Sequence, residues 1–319
     1  MRPIIFFILS FIAAACSSEQ RNENPTEFTV SEHTVETDDG ITLYYRIAGE
    51  GDDTVMVPFA LYHGQRLDSL AKGRRIVTYD PRGRGASDAA PLDTVTLDYM
   101  YRDFDTVRNA VGAEKVAIIG WSGGGMEMFV YAMRNPDRVT RLIQLAPIAA
   151  RFDPYGPMFM EDRDRRTDQA ARQAFRERVA AGEFDGDPEA HCRAVELITN
   201  PPLFADPDNL PETPDVCQFS NEHPDNIGAY FGKLFESIIG YDWRESLDEV
   251  SIPRLIIHGQ QDNIPLEGNE EWVRGQAHAR LLVIEGAGHW PHYEQPEETL
   301  KAMDAFLDGE WPEAAVEIP

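Results

Sequence analysis

Residues 115–125 read KVAIIGWSGGG, and no other stretch restricts the fold so tightly. The run Val116–Ile119 is short and continuously apolar, as a strand buried on both faces must be. The stretch Gly124–Met133 that follows is apolar and helix-like. Between them the chain must turn sharply at Gly120-Trp121-Ser122-Gly123-Gly124. Glycines two before and two after the serine let strand and helix approach without a side-chain clash. A turn of this kind holds Ser122 in a strained conformation beside a helix N-terminus, where free N–H groups and a positive dipole end favour a developing anion. The plainer alternative is a glycine-rich turn that binds phosphate. The partners that a reactive serine would need decide between the two.

The remaining chain has the rhythm such a turn requires. Glu27–Thr37 and Gly40–Ile47 alternate in polarity around Asp38-Asp39-Gly40 and predict a hairpin. Further apolar runs stand at Thr54–Val57, Arg75–Tyr79, Leu142–Leu145, Arg254–Ile257 and Leu281–Ile284. Helix-like stretches lie between them at Leu97–Val111, Gly268–Gln276 and Glu297–Leu307. Alternation of this kind predicts an α/β protein with a mostly parallel central sheet and helices on both faces. From about Ala149 to Glu245 the rhythm breaks into a charged, helix-prone segment and then a Pro-rich one. We expect a core at 35–148 and 246–312, with 149–245 a mainly helical cap insertion.

A serine hydroxyl is a poor nucleophile at neutral pH and needs a base, itself oriented by a carboxylate. Both follow in the order Ser, acid, His. PRLIIHGQQD ends a strand and presents Asp262; RLLVIEGAGHW ends a strand and presents His289. Loops at strand C-terminal ends are where an open parallel sheet gathers its reactive groups. Weaker candidates are His292 and His258 for the base and Asp153 for the acid. Asp80 and the Arg82-Gly83-Arg84-Gly85 stretch read as turn chemistry.

The arrangement resembles the α/β-hydrolase family from about residue 35 to 310. YDPRGRGASD at 79–88, NPDRV at 135–139 and the helix after Glu294-Gln295-Pro296 add to the likeness. It is most similar to the capped group of proline iminopeptidases and related esterases. The resemblance implies Ser122 as nucleophile, His289 as base and then acid, and Asp262 as the residue that holds the His289 tautomer. Acyl transfer also needs two N–H donors for the oxyanion. Gly123 supplies one and the loop after Thr54–Val57 the other. Iminopeptidase-like enzymes usually carry His-Gly-Gly-Pro-Gly there, whereas this chain has Pro58-Phe59-Ala60-Leu61-Tyr62. Pro58 has no N–H, which leaves Phe59 or Ala60, with Ala60 favoured. Trp121, Tyr62, Trp290 and Phe59 are candidates to line a substrate pocket. Among the cap acids Glu161, Asp162, Glu196 and Glu222, Glu222 is the candidate to hold a substrate's free α-amino group, as cap carboxylates do in iminopeptidases.

These features lead to a serine hydrolase that cleaves a carboxylic ester or small acyl substrate, with no cofactor and no metal. An aminopeptidase acting on N-terminal proline is the alternative, with short peptides as substrates. Acyl transfer to an acceptor other than water is a further one. A catalytically silent envelope binding protein is the alternative from another class. The 319-residue chain carries a net charge of −26, which argues against nucleic acid and against broad contact with anionic membranes. Residues 1–15, MRPIIFFILSFIAAA, read as a signal peptide, and the small residues before Cys16 resemble a bacterial lipoprotein signal. That resemblance implies lipidation at Cys16, a polar tether over 16–34, and residence in the cell envelope. The anchor would then lie in the periplasm, with the outer membrane favoured; plain secretion is the alternative. In such a compartment Cys192 and Cys217, 25 residues apart, are expected to form a disulfide.

Overall fold

The computed structural model describes residues 28–319. The signal, Cys16 and most of the tether lie outside the described residues. Two strands open the fold, β1 (Val30–Glu36) and β2 (Thr42–Ala48), paired antiparallel around the turn at Asp38-Asp39-Gly40. After them come β3 (Thr54–Pro58), the short helix α1 (Ala60–His63), β4 (Arg75–Tyr79) and α2 (Leu97–Ala110). β5 (Val116–Trp121) runs directly into α3 (Gly123–Arg134), and β6 (Val139–Leu145) follows.

The long middle segment then contributes α4 (Tyr155–Arg166), α5 (Gln169–Ala180), α6 (Pro188–Thr199) and α7 (Pro224–Ile238), without a strand. The core resumes with β7 (Arg254–Gly259), α8 (Leu266–Glu270), β8 (Ala279–Ile284), α9 (Pro291–Glu294) and α10 (Pro296–Leu307).

The strands form one sheet of order β1-β2-β4-β3-β5-β6-β7-β8. β2 is antiparallel to both neighbours, and every pairing from β4 onward to β8 is parallel. Successive strand residues point to opposite faces, so the continuous apolar runs feed two cores. Met56, Val77, Ile118, Leu142 and Ile256 pack under α2 and α3. Their neighbours Val57, Ile76, Ile119, Ile143 and Ile257 pack under α10 and the Leu67–Ala71 turn. Burial on both faces is why these strands show no alternation in sequence.

The helix expected over Gly268–Gln276 is shorter and starts earlier, at Leu266, ending at Glu270. Beyond it Trp272 is wholly buried, with its indole N–H donating to the Ile148 carbonyl, and Gly275 takes φ +72°. The left-handed glycine prevents any helix from running on to Gln276. The inserted segment leaves and re-enters the core at one neck, where Arg151 bridges Asp242. Phe152 N–H donates to Tyr241 and Trp243 N–H to Ala150 on either side of that bridge.

Candidate active site

Ser122 stands between β5 and α3 at φ 54°, ψ −124°. An L-residue reaches that backbone region only under strain. The glycines around it are required by space. A Cβ on Gly120 would run into the backbone of Gly124, and one on Gly125 would lie 2.8 Å from Pro147. The Ser122 Oγ lies 2.9 Å from His289 Nε2. His289 Nδ1 in turn lies 3.0 Å from Asp262 Oδ2 and 3.1 Å from Oδ1. The imidazole and carboxylate are sealed from solvent, whereas Ser122 is partly open. Asp262 Oδ1 also accepts the backbone N–H of Ile264, which fixes its loop.

The other candidates for base and acid are placed elsewhere. His258 is buried against Asn269, and Asp153 makes no hydrogen bond to His289. His292 Nε2 faces His63 Nδ1 at 3.3 Å, both rings wholly buried. Burial pushes His63 down to about 4 and His292 well below the ordinary imidazole range, helped for His292 by the neighbouring His63.

Two loops flank Ser122. On one, Gly123 opens α3. On the other, Phe59 takes φ 66°, ψ 54° and leads into α1. Among the described residues the N–H groups of Gly123, Phe59 and Ala60 have no acceptor within the protein. The Phe59 ring lies 3.3 Å from where a Gly124 Cβ would stand, so the two loops touch. Asp80 fixes the second loop by accepting from Leu61 N–H (2.9 Å) and Ala86 N–H (3.0 Å). Burial raises its carboxyl to about 6 in spite of those bonds.

The four residues proposed from sequence to meet substrate make the following contacts within the protein. Glu222 is buried, and both its oxygens are taken. Arg84 Nε and Nη2 donate at 2.9 Å, and Gly85 N–H adds a third bond at 2.9 Å. A buried carboxylate paired in this way is already neutralised by the Arg84 guanidinium. It locks the cap to the Arg82–Gly85 turn, with Asn221 Nδ2 donating to Gly85 and Ser87 carbonyls alongside. Trp121 packs on Trp290 with ring centroids 4.2 Å apart, and its indole N–H donates to the His289 carbonyl. Tyr62 packs edge-on against both rings and accepts from Arg84 through its hydroxyl. These three form an aromatic wall behind His289.

Other groups carry weight that the sequence did not reveal. Glu294 accepts backbone N–H bonds from Gly288, Trp290 and Ala205, tying the His289 loop to the cap. Glu127 of α3 reaches back toward Gly123, is almost wholly buried, and is pushed by burial to about 7 with Arg84 opposing. Its position one turn after the serine is the single sequence signal for it. Cys192 of α6 and Cys217 are disulfide-bonded, with Cα atoms 5.6 Å apart, and pack against Phe59.

Beside the triad-like group lies a cavity of about 100 Å³. Ile148, Phe159 and Ile264 on its wall adjoin the three polar residues in turn. Ile148 N–H donates to the Ser122 carbonyl, the Phe159 ring is 6.4 Å from that of His289, and Ile264 bonds Asp262. No group of three or more potential metal ligands is found among the described residues, and none of their helices is long and apolar enough to cross a membrane.

Residues 59–296 match the family described as alpha/beta hydrolase fold. The chain is 27% identical over 280 residues to a pimeloyl-[acyl-carrier protein] methyl ester esterase of Nitrosomonas europaea, covering 83% of this chain and 99% of that protein. It is 25% identical over 249 residues to a proline iminopeptidase of Heyndrickxia coagulans, covering 76% and 84%. Among solved structures, an esterase from Exiguobacterium antarcticum superposes with a TM-score of 0.63 at 22% identity, over 86% of this chain and 98% of that one.

Proposed function

The chain belongs to the α/β-hydrolase family, and from that premise we propose that it is a serine esterase working through Ser122, His289 and Asp262. The observation that carries the reading is the relay of hydrogen bonds, 2.9 Å from Ser122 Oγ to His289 Nε2 and 3.0 Å from Nδ1 to Asp262. In this scheme Ser122 Oγ attacks the ester carbonyl carbon while His289 Nε2 takes its proton. The oxyanion accepts from the N–H groups of Gly123 and Ala60. His289 returns the proton to the leaving alcohol oxygen. Water then attacks the acyl-enzyme with His289 again as base, and the carboxylic acid departs. Asp262 keeps Nδ1 protonated and stabilises the imidazolium.

Two observations favour ester over N-terminal peptide. The cap carboxylate of Glu222 is consumed by Arg84 and Gly85. The cavity beside the serine has no carboxylate on its wall to hold an ammonium group. The test is labelling with a fluorophosphonate probe, followed by comparison of p-nitrophenyl butanoate with a prolyl arylamide. Labelling at Ser122 and turnover of the ester support the reading; turnover of the arylamide alone overturns it.

We also propose the lipid-anchored envelope location implied by residues 1–16. The disulfide supports it, since such bonds persist in oxidising compartments. Incorporation of labelled palmitate that is lost in Cys16→Ser would bear it out, and unlabelled wild type would sink it.

A further inference from the structure

We propose that the cavity between α4 and α7 is the acyl pocket, and that it selects straight, uncharged acyl groups of about four carbons. The inference rests on the esterase reading and adds the substrate class. Its walls are Ile148 and Ala149 from the end of β6, Phe159 and Met160 from α4, Phe235 and Ile238 from α7, with Ile264 from the Asp262 loop. Ser122, His289 and Asp262 do not themselves line the cavity; Ile148, Phe159 and Ile264 join it to them.

The acyl part, rather than the alcohol, is the occupant. It stays attached to Ser122 through the second half of the reaction, whereas the alcohol must leave before water can reach His289 Nε2. A walled apolar space beside Ser122 suits the group that stays.

The size follows from the volume. A cavity of about 100 Å³ is about two-thirds of the cavity of about 150 Å³ that accepts the six carbons of benzene, room for roughly three to four carbons. With the carbonyl carbon outside at Ser122, three further carbons give butanoyl. Benzoyl is too wide.

The charge preference follows from the hydroxyls. Only two polar side-chain groups reach this wall, and both have their O–H engaged with another acceptor. Tyr155 O–H donates to Glu271 at 3.0 Å, and Tyr241 O–H donates to the Ala149 carbonyl at 3.0 Å. No Lys or Arg lines the space. A carboxylate at the far end of the acyl chain would enter with no donor on the wall to meet it, since the nearby Arg151 guanidinium is paired bidentately with Glu271.

The experiment compares kcat/KM across p-nitrophenyl acetate, butanoate, octanoate, benzoate and hemisuccinate, and separately across alkyl butanoates of growing alcohol length. Butanoate is expected about fifteenfold above acetate, since each of its two further buried methylenes is worth a factor of about four. Hemisuccinate and benzoate should fall at least a hundredfold below butanoate. Met160 and Phe235 are half exposed at the mouth, so Met160→Ala/Phe235→Ala should fold and raise the octanoate-to-butanoate ratio several-fold. Rates that follow the alcohol length, or a hemisuccinate as good as butanoate, overturn the pocket while fluorophosphonate labelling of Ser122 leaves the esterase reading standing. No labelling and no ester turnover would sink both.

Discussion

The two loops that flank the reactive serine impose the same backbone demand and meet it with different residues. At the β5–α3 turn, glycine stands wherever strand and helix come too close, and only Ser122 bears the strain of positive φ. At the β3–α1 turn, positive φ falls on Phe59, a bulky residue where a glycine would be conformationally free. What the second loop gains is contact. The Phe59 ring covers Gly124, lies 5.3 Å below the Arg84 guanidinium, and packs on the Cys192–Cys217 bridge of the cap. The first loop carries Ser122; the second joins its surroundings to the inserted segment.

The largest effect belongs to the first loop. Ser122→Ala should lower kcat by about 10⁴- to 10⁶-fold and abolish fluorophosphonate labelling, with far-UV circular dichroism unchanged. Residual labelling in that variant would move the nucleophile elsewhere and dissolve the contrast between the loops.

Next in size is the latch between Glu222 and the Arg82–Gly85 turn, which stands over the second loop through Arg84 and Phe59. Glu222→Gln leaves the Arg84 charge buried without its partner, and breaking such a pair costs about 3–5 kcal/mol. Urea denaturation should show that loss. A variant of unchanged stability with a raised KM for an amine-bearing substrate would restore the substrate role that the geometry removes.

The contrast between these loops also explains what could be read in the sequence. The β5–α3 turn was legible because its steric needs are met by glycine, which few other contexts demand in that number. Asp262 and His289 were legible because each follows an apolar run at a strand end. The acidity of Glu222 is visible in the sequence and its burial against Arg84 is not; the two are 138 residues apart. Phe59 gives no sign of its left-handed backbone. The cavity wall is assembled from residues 148 to 264 across the neck at Arg151 and Asp242, so no local pattern announces it.

Each loop also carries a buried titrating group, and the two have opposite sign. On α3, Glu127 is raised to about 7 when folded, against about 4.3 in an unfolded chain. Its contribution is fully present below the unfolded value and is lost as pH rises through about 7. At the end of α1, His63 is lowered to about 4, against about 6.5 unfolded. Its contribution is present above pH 6.5 and is lost as pH falls toward 4, with His292 acting in the same direction. Between about pH 4.5 and 6.5 the histidines make stability rise with pH while Glu127 opposes them. Glu127→Gln removes the opposition. Its stability should climb more steeply than wild type, by about 1.4 kcal/mol per pH unit. Parallel curves in denaturant titrations at several pH values would mean that Glu127 is not held protonated.

The smallest effect is the sharpest test of whether the two loops share one backbone demand. At an ordinary position alanine is more stable than glycine, because glycine has more conformational freedom to lose. Where φ is positive the order reverses, since alanine is strained there. Ser122→Gly should therefore exceed Ser122→Ala in stability by about 1 kcal/mol, and Phe59→Gly should exceed Phe59→Ala by a similar amount. Both Phe59 variants lose the packing of a buried ring, about 3–5 kcal/mol for the alanine change, so only their difference reports on the backbone. The measurement is the pairwise difference in unfolding free energy from urea titrations. A reversal at Ser122 with none at Phe59 would mean that the β3–α1 turn relaxes once the ring is gone. Phe59 would then be held at positive φ by its contacts with Gly124 and the cap, and the backbone demand at that loop would come from the cap.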